Sequence, residues 1–409
     1  MRECDPMLRE VEMQKKKEVK IDKIISSALM SSFIVLTFQY LILISFNLLE
    51  TSYAPLIQTI SKVMVGLIFV ITLPFVLRRN LKIFMIIYGF GIILFSYNFL
   101  VFPENHAYMI HLMFPFFFVA LPSFIYVVSI NNLEVFSEVT AKAALLIFAL
   151  GTFLGILIFT GNSSVGVYSM ALSYYMLLPA LLFLGKVFDK GSIIFTIYFI
   201  IALIVILALG SRGALLCITV YAILRVVSPR QRISMSKVFI YIVTMITLIL
   251  GFLYYKNILL FISKLFLEYG IQSRTIYLLL QDELYLSGRD SIIQSVWSEI
   301  IQSPLLGIGL AGDSRISGGS YVHNFIIEIM GNFGIPIGIL LLCILMSIVF
   351  TTLRFSKDYN LIALWLCLGL VHLMVSGSYI IDIKFWILLG ILYKTIHLNR
   401  SYEIKGGLK

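Results

Sequence analysis

Two arginines and a histidine have the side-chain types that group transfer at a phosphate ester requires. Arg212 lies in a turn between two apolar runs, and Arg289 and His323 lie in a long polar stretch from Ser287 to Gly338. Each guanidinium offers a planar fork of donors that stays charged, which suits a pyrophosphate. A nearby histidine can take a proton from an acceptor hydroxyl near neutral pH. Together these residues indicate group transfer from a lipid pyrophosphate, whose leaving charge fixed cations can stabilise without a metal.

Each of the three residues also has a simpler interpretation. An arginine in a tight turn at a membrane surface can be a headgroup anchor, and Arg289 could pair with Asp290 or Glu299 on a helix surface. His323 could merely cap the helix that follows it. Ionisable groups at a membrane tend to be functional, so the catalytic hypothesis stays open beside these simpler interpretations.

Further polar residues lie near His323. We expect Tyr321, Asn324 and Arg315 to contribute to substrate binding. Asn324 also begins a stripe at i, i+4 and i+8 with Glu328 and Asn332, which predicts either helix–helix hydrogen bonds or the lining of a cavity. Four acidic residues in and near the polar stretch could bind a metal, but they lack the spacing of metal ligands, so neither a metal nor a cofactor is expected. They are Asp282, Glu283, Asp290 and Asp313.

The composition is that of a membrane protein. Of 409 residues, 60% are hydrophobic and 13% are charged, which predicts a polytopic, all-α membrane chain. The net charge of +10 comes from lysines and arginines that lie mostly in short gaps between apolar runs, so nucleic-acid binding is a poor interpretation. The four cysteines have no paired spacing and indicate neither disulfides nor a zinc site.

Apolar runs of bilayer length predict about twelve transmembrane helices. The predicted spans are 24–49, 55–77, 83–102, 107–129, 143–161, 166–185, 193–210, 213–227, 238–255, 324–350, 360–378 and 380–396. Lysine and arginine lie in the gaps after even-numbered spans, whereas the short gaps at 50–54, 103–106, 162–165 and 379, after odd-numbered spans, have none. This bias predicts that both termini are cytoplasmic and that the loop between spans nine and ten is extracytoplasmic.

The predicted organisation has five parts. They are a basic cytoplasmic tail at 1–23, spans one to nine at 24–255, the large outer loop at 256–322, spans ten to twelve at 323–396, and a cytoplasmic tail at 397–409. Amphipathic helices are expected in the loop at Leu259–Leu280 and Asp290–Ile301. His372, alone in an apolar run, is interpreted as a hydrogen-bonded packing residue.

Two glycine-containing segments decide how the polar residues are placed. The chain must turn at Gly210–Gly213, because one continuous helix through 193–227 would send the large loop inward, against the charge bias. Arg212 then lies at the outer membrane face beside the loop. Gly334, Pro336 and Gly338 are expected to kink span ten.

These motifs, in their order, resemble the O-antigen ligase/polymerase family of the Wzy/WaaL type. The resemblance covers about residues 210–340. It rests on the segments Gly210-Ser211-Arg212-Gly213, Ser287-Gly288-Arg289, Ser303-Pro304-Leu305-Leu306-Gly307-Ile308-Gly309, Val322-His323-Asn324 and Gly334-Ile335-Pro336-Ile337-Gly338. It implies a C-type membrane glycosyltransferase fold in the bacterial cytoplasmic (inner) membrane, with its active site on the extracytoplasmic face.

The resemblance also implies a donor and residue roles. The donor would be an undecaprenyl-pyrophosphate-linked glycan, transferred with inversion and without metal. Arg212 and Arg289 would bind the donor pyrophosphate, and His323 would activate the acceptor. Membrane lipid, a chain-length regulator and a flippase would be its partners.

Three functions stay open at this point. The arrangement of motifs favours a polymerase of O-antigen, capsular or exopolysaccharide repeat units over a ligase that moves finished glycan to a lipid A-core or protein acceptor. A polysaccharide flippase or other transporter is the alternative of another class, since about twelve spans are ordinary there. Transporters tend to show two related halves and a midplane site, and no half-to-half similarity is visible here.

Overall fold

The computed structural model is built of helices. It describes residues 6–49, 51–159, 170–209, 211–228, 254–268, 276–277, 280 and 289–406, and no strand occurs among them. The helices are α1 (Pro6–Ser45), α2 (Tyr53–Val101), α3 (His106–Pro115), α4 (Leu121–Ser129), α5 (Leu133–Phe159), α6 (Met170–Lys190), α7 (Ile193–Leu209), α8 (Arg212–Val226), α9 (Tyr255–Glu268), α10 (Arg289–Gln302), α11 (Gly312–Ile316), α12 (Phe325–Phe333), α13 (Ile335–Phe355), α14 (Tyr359–Leu366) and α15 (Ile383–Gly406).

Several helices are long and apolar enough to cross a membrane, which confirms the prediction of an all-α, polytopic membrane protein. Within the described residues, five helical segments meet both criteria, and two shorter apolar helices accompany them. The side chains of α2 and α13 include large apolar groups that are mostly exposed, such as Leu100 and Phe350. Such surfaces are suited to lipid. The predicted ninth span, 238–255, lies almost entirely outside the described residues.

The structure refines the predicted boundaries at three places. The spans predicted at 55–77 and 83–102 form one long helix, α2, interrupted at Asn80 (φ −141°, ψ 42°). The kink expected near Gly334 is a complete break, because Gly334 has φ 79° and separates α12 from α13. The predicted one-residue gap at 379 is a longer loop, 375–382, between Met374 and Ile383.

Segments predicted to be cytoplasmic contact one another. Arg79, after the second predicted span, pairs with Asp22 at 2.5 Å, and it donates to the carbonyl of Ser129 at 2.8 Å. The carboxylate of Asp22 also accepts the backbone N–H groups of Asn131 and Asn132, both at 2.9 Å. Lys394, near the C-terminal tail, donates to the backbone carbonyl of Val128 at 3.4 Å. These contacts link the N-terminal tail, the segments near the ends of the second and fourth predicted spans, and the segment before the C-terminal tail.

Segments predicted to be extracytoplasmic form a separate network. Asn105, in the gap after the third predicted span, donates to the carbonyls of Ile308 and Leu310 in the large loop, at 2.8 and 3.1 Å. Leu310 in turn donates its N–H to Asn98 at 2.8 Å. The contacts therefore form two groups, and the side of the membrane on which each group lies stays a prediction from the charge bias.

Candidate active site

The turn that carries Arg212 is a helix start packed against other elements. Ser211 is extended and accepts a hydrogen bond from the N–H of Ala214 at 3.4 Å, so α8 begins at Arg212. A Cβ at Gly213 would overlap the hydroxyl of Tyr174 and lie 2.8 Å from the side chain of Val375. Glycine is thus required where the turn meets α6 and the 375–382 loop. The predicted break between the two apolar runs is confirmed.

Arg289 reaches the same loop from the other side. It is the first residue of α10, is half-buried, and donates from Nη1 to the backbone carbonyl of Val375. Ser287 and Gly288 lie outside the described residues. The Arg289 side chain and the turn that bears Arg212 therefore meet at one residue, Val375.

His323 is held in an unusual backbone conformation. Its φ is 56°, in the left-handed region that non-glycine residues rarely adopt. Val322, before it, donates its N–H to Asp313 at 3.0 Å, and Asn324, after it, caps α12 by accepting from Ile326 and Ile327. Such strain persists where the surrounding structure over-determines it, and it clusters at functional sites.

The surroundings of His323 keep its imidazole neutral. Burial and the charge of Arg289 lower the pKa of His323 to about 4. Its ring lies 4.1 Å from that of Tyr321, centroid to centroid. Among the described residues, the buried Nδ1 atom has no hydrogen-bond partner. An uncharged imidazole with an unsatisfied nitrogen is able to accept a proton from a bound hydroxyl.

Two glycine motifs, far apart in sequence, pack together to support this segment. Ile308 donates its N–H to Gly331 at 2.7 Å, and Ile335 donates to Pro304 at 2.8 Å. A Cβ at Gly307 or Gly334 would overlap a backbone carbonyl of the opposite segment. The backbones can approach so closely only because both residues are glycine. This contact fixes the end of α12 and the start of α13 against the segment 304–308.

Two cavities are lined by residues close in sequence to His323 and to Val375, such as Tyr321 and Ser376, although Arg212, Arg289 and His323 are not themselves among the lining residues. One, of about 310 Å³, is lined by side chains that include Tyr174, His372 and Lys384. The other, of about 440 Å³, is lined by Asp313 and Glu328 among others. The cavities share three lining residues, Tyr321, Ser378 and Ile381. Two neighbouring spaces are the arrangement that a reaction joining two substrates requires.

The polar stripe on α12 binds the loop between the cavities. Glu328 accepts from the hydroxyl of Ser378 and from the N–H of Tyr379, the latter at 3.2 Å. Asn332 donates to the hydroxyl of Tyr379 at 2.9 Å. Glu328 also lines the 440 Å³ cavity, as one of the two interpretations of the stripe predicts, whereas its hydrogen bonds go to a loop and not to a second helix.

Of the residues predicted to bind substrate, only Tyr321 lines a cavity. Asn324 accepts hydrogen bonds from the first turn of α12 and so positions its neighbour His323. Arg315 donates from Nε to Asn105 at 2.9 Å, which ties the large loop to the 103–105 segment. Direct binding by Asn324 and Arg315 stays a prediction, with these structural roles beside it.

Sequence analysis missed Lys384, a charged residue that lines the smaller cavity. Lys384 lies 3.3 Å from Asp382 and 3.4 Å from a ring nitrogen of His372, and its Nζ is 5.4 Å from the ring centroid of Tyr174. His372 was interpreted as a packing residue, yet it lines this cavity. The sequence signal was available, because Asp382 and Lys384 are two charges at the start of an apolar run.

The arrangement suits transfer between two bound substrates. Lys384 lines the smaller cavity, and Arg289 binds the carbonyl of Val375, next to the lining residue Ser376. Tyr321 lines both cavities, and its ring contacts that of His323. Within the described residues, no group of three His, Cys, Asp or Glu side chains is arranged to hold a metal ion. The side chains present can bind an anion and accept a proton.

Comparison with known proteins gives one match. The family described as O-antigen ligase (Wzy_C) matches residues 197–343, a segment that contains Arg212, Arg289 and His323. Neither the curated proteins nor the solved structures give a match. The resemblance seen in the motifs is therefore confirmed. Residues 197–343, less than half of the chain, are thus similar to the O-antigen ligase family, which is consistent with a Wzy/WaaL-type O-antigen ligase or polymerase.

Proposed function

We propose that this protein polymerises undecaprenyl-pyrophosphate-linked oligosaccharide repeat units into O-antigen, capsular or exopolysaccharide chains. The reaction takes place at the outer face of the bacterial cytoplasmic membrane, and both termini are cytoplasmic. The observation that carries the proposal is that Arg289 and the Arg212 turn meet at Val375, in a loop that lines two cavities, and that Arg289 lies near enough to His323 to act on it electrostatically.

The proposed chemistry is a direct displacement. His323 Nδ1 takes the proton of an acceptor hydroxyl, and the freed oxygen attacks the anomeric carbon of the donor glycan. The bond from that carbon to the pyrophosphate oxygen breaks, and the electron pair leaves with the pyrophosphate. Arg212 and Arg289 stabilise the developing negative charge, which is the part of the transition state that fixed cations favour most. One displacement inverts the anomeric configuration.

The neutral state of His323 supports its role as the base. A base must be unprotonated before the reaction, and the lowered pKa of His323 satisfies this condition at neutral pH. The same cation that lowers this pKa, Arg289, is the one proposed to bind the leaving group. The acceptor therefore lies beside the donor phosphate in this arrangement.

Ligation is the second candidate function, because the matched family is described as O-antigen ligase. A ligase would use the same donor and the same displacement, with a lipid A-core or protein acceptor in place of a second lipid-linked unit. We favour polymerisation because the order of the motifs in 287–324 is more similar to the polymerase branch.

Deleting the gene in its host separates the two functions. Surface glycan and lipid-linked glycan would be extracted and compared on gels. For a polymerase we expect single repeat units on the normal acceptor and loss of the long ladder. Long chains left on the lipid carrier, with a bare acceptor, would assign the ligase function instead. An unchanged pattern in both fractions would contradict both.

A further inference from the structure

The smaller cavity is lined by both apolar and polar residues, and neither Arg212 nor Arg289 is among them. Phe33 and Leu36 of α1 form an apolar side, whereas Ser376, Gly377 and Lys384 form a polar side. A ligand that fits such a space has an anionic or polar end and a hydrocarbon end. The cavity is about 310 Å³.

Lys384 lies at a helix position where a positive charge is unfavourable. It lies in the first turn of α15, where the helix dipole disfavours a cation. Its side chain is only 13% exposed, and burying a charge is costly unless the charge is paired. One carboxylate, Asp382, is available at 3.3 Å.

That carboxylate is already shared. Oδ1 of Asp382 accepts the backbone N–H groups of Lys384 and Phe385, at 2.8 and 3.1 Å, and so caps α15. Oδ2 faces both Lys384 and His372, the latter at 3.6 Å. The single negative charge of Asp382 therefore interacts with both the N-terminus of α15 and Lys384. Positive charge is in excess on this side of the cavity, which favours binding of an anion.

Tyr174 links this wall to the segments that bear the two arginines. Its hydroxyl interacts with the side chains of Ser211 and Ser376. Ser211 immediately precedes Arg212, and Ser376 follows Val375, whose carbonyl Arg289 binds. The Tyr174 ring lies 5.4 Å from Nζ of Lys384. Tyr174 thus lies between the lysine and the segments that bear both arginines.

We propose that Lys384 contacts the diphosphate of a polyprenyl diphosphate bound in this cavity, as a third cation, with the first isoprene units against Phe33 and Leu36. The proposal rests on the proposed function and adds to it a binding residue and the place of the lipid. Asp382 then has an opposing role, since its charge repels the diphosphate and competes with it for Lys384.

Binding to the purified full-length protein in detergent tests this. The probes are a short-chain polyprenyl diphosphate, the matching monophosphate, inorganic pyrophosphate and phosphatidylglycerol. For Lys384→Met we expect binding of the polyprenyl diphosphate to weaken by about tenfold or more, as loss of a charge-assisted hydrogen bond implies. Lys384→Arg should retain most of the affinity. Lys394→Met is the matched control, because it removes a lysine from the same helix away from the cavity.

Asp382→Asn supplies a change of opposite sign. Asparagine also caps helices well, so α15 should keep its start while the repelling charge is lost, and diphosphate binding should tighten. Weaker binding in both Lys384→Met and Asp382→Asn would indicate a merely structural pair and overturn the proposal. Equal affinity of wild type for polyprenyl diphosphate and phosphatidylglycerol would also overturn it, because the site would then be a general headgroup site.

The outcome is separable from the proposed function. If wild type transfers glycan and binds the diphosphate, but Lys384→Met binds as tightly as wild type, Lys384 is excluded and the enzyme assignment stands. If wild type neither transfers glycan nor binds any polyprenyl phosphate, the proposed function fails and the inference fails with it. Melting temperatures of the variants identify any that fail to fold.

Discussion

His323 shows how a residue becomes a base through its neighbours. The sequence predicted its role from its type and from the polar segment around it. The lowered pKa arises from burial and from Arg289 on α10, and the backbone on either side of His323 is held by the bonds from Val322 to Asp313 and from Ile326 to Asn324. A linear pattern does not reveal such contacts, because they depend on how the helices pack.

The pH dependence of His323 reactivity tests its electrostatic surroundings. Diethyl pyrocarbonate modifies neutral imidazole, so modification should be complete above about pH 5 and lost as the pH falls through about 4. In Arg289→Gln the repelling cation is absent, and the midpoint should move upward toward the ordinary value. It should stay below that value, because burial is the larger cause of the shift.

Mass spectrometry of the modified peptides gives this midpoint directly. His111, which is exposed, serves as an internal reference for the reagent. Identical His323 midpoints in wild type and Arg289→Gln would show that Arg289 does not act on His323.

Replacing Arg289 with lysine tests the geometry of phosphate binding. Lysine keeps the charge but lacks the fork of donors, so we expect kcat/KM for glycan transfer to fall by roughly 100-fold, a loss typical of removing a transition-state donor. Expression and thermal unfolding should stay near those of wild type. Full activity in Arg289→Lys would reduce the role of Arg289 to a simple point charge.

The sequence does not predict that Lys384 lines a cavity. A lysine near the end of an apolar run is also what snorkelling to the interface produces. Only the fold shows that Lys384 faces His372 and Tyr174 across a cavity.

At the scale of elements, backbone contacts between glycine motifs place the site. The sequence predicted turns and a kink at these glycines but not that Gly307 and Gly334 meet the opposite backbone. The expected kink became a break because Gly334 adopts φ 79° at the contact with Leu305. Pairing between distant segments leaves no local period in the sequence, which is why it was missed.

Three glycine-to-alanine variants separate close contact from backbone strain. Gly307→Ala adds an overlap to a positive φ and should lower the free energy of unfolding by about 3 kcal/mol or more. Gly318→Ala has the positive φ but open space, so a loss of about 1 kcal/mol is expected. Gly66→Ala lies within a helix with nothing near the added methyl, and it should be neutral or stabilising by up to about 1 kcal/mol.

Thermal unfolding in detergent ranks these variants. The expected order of melting temperatures is Gly66→Ala, then Gly318→Ala, then Gly307→Ala. A Gly307→Ala protein as stable as Gly318→Ala would contradict the close backbone contact.

For the whole molecule, composition predicted the fold class, whereas the count of about twelve spans and the five-part organisation stay predictions. The all-α membrane fold is confirmed, and the predicted inner and outer segments form separate networks through Asp22 and Asn105. The side of the membrane on which each network lies stays a prediction from the lysine and arginine bias.

Single cysteines in a protein without its native cysteines test this topology. Ser320 in the large loop and Asn131 in the inner network are both exposed. In intact cells, Ser320→Cys should react with a membrane-impermeant maleimide, whereas Asn131→Cys should react only after the membrane is permeabilised. The reverse pattern would invert the topology and place the site in the cytoplasm.

Transfer by the purified protein tests the central claim most directly. The protein would be reconstituted in a lipid bilayer with a polyprenyl-diphosphate-linked repeat unit and no ion gradient. We predict products that lengthen by whole repeat units, with release of polyprenyl diphosphate, and loss of both in His323→Ala and Arg289→Ala. Movement of the lipid-linked unit across the bilayer without any new glycosidic bond would contradict the account and indicate a transporter.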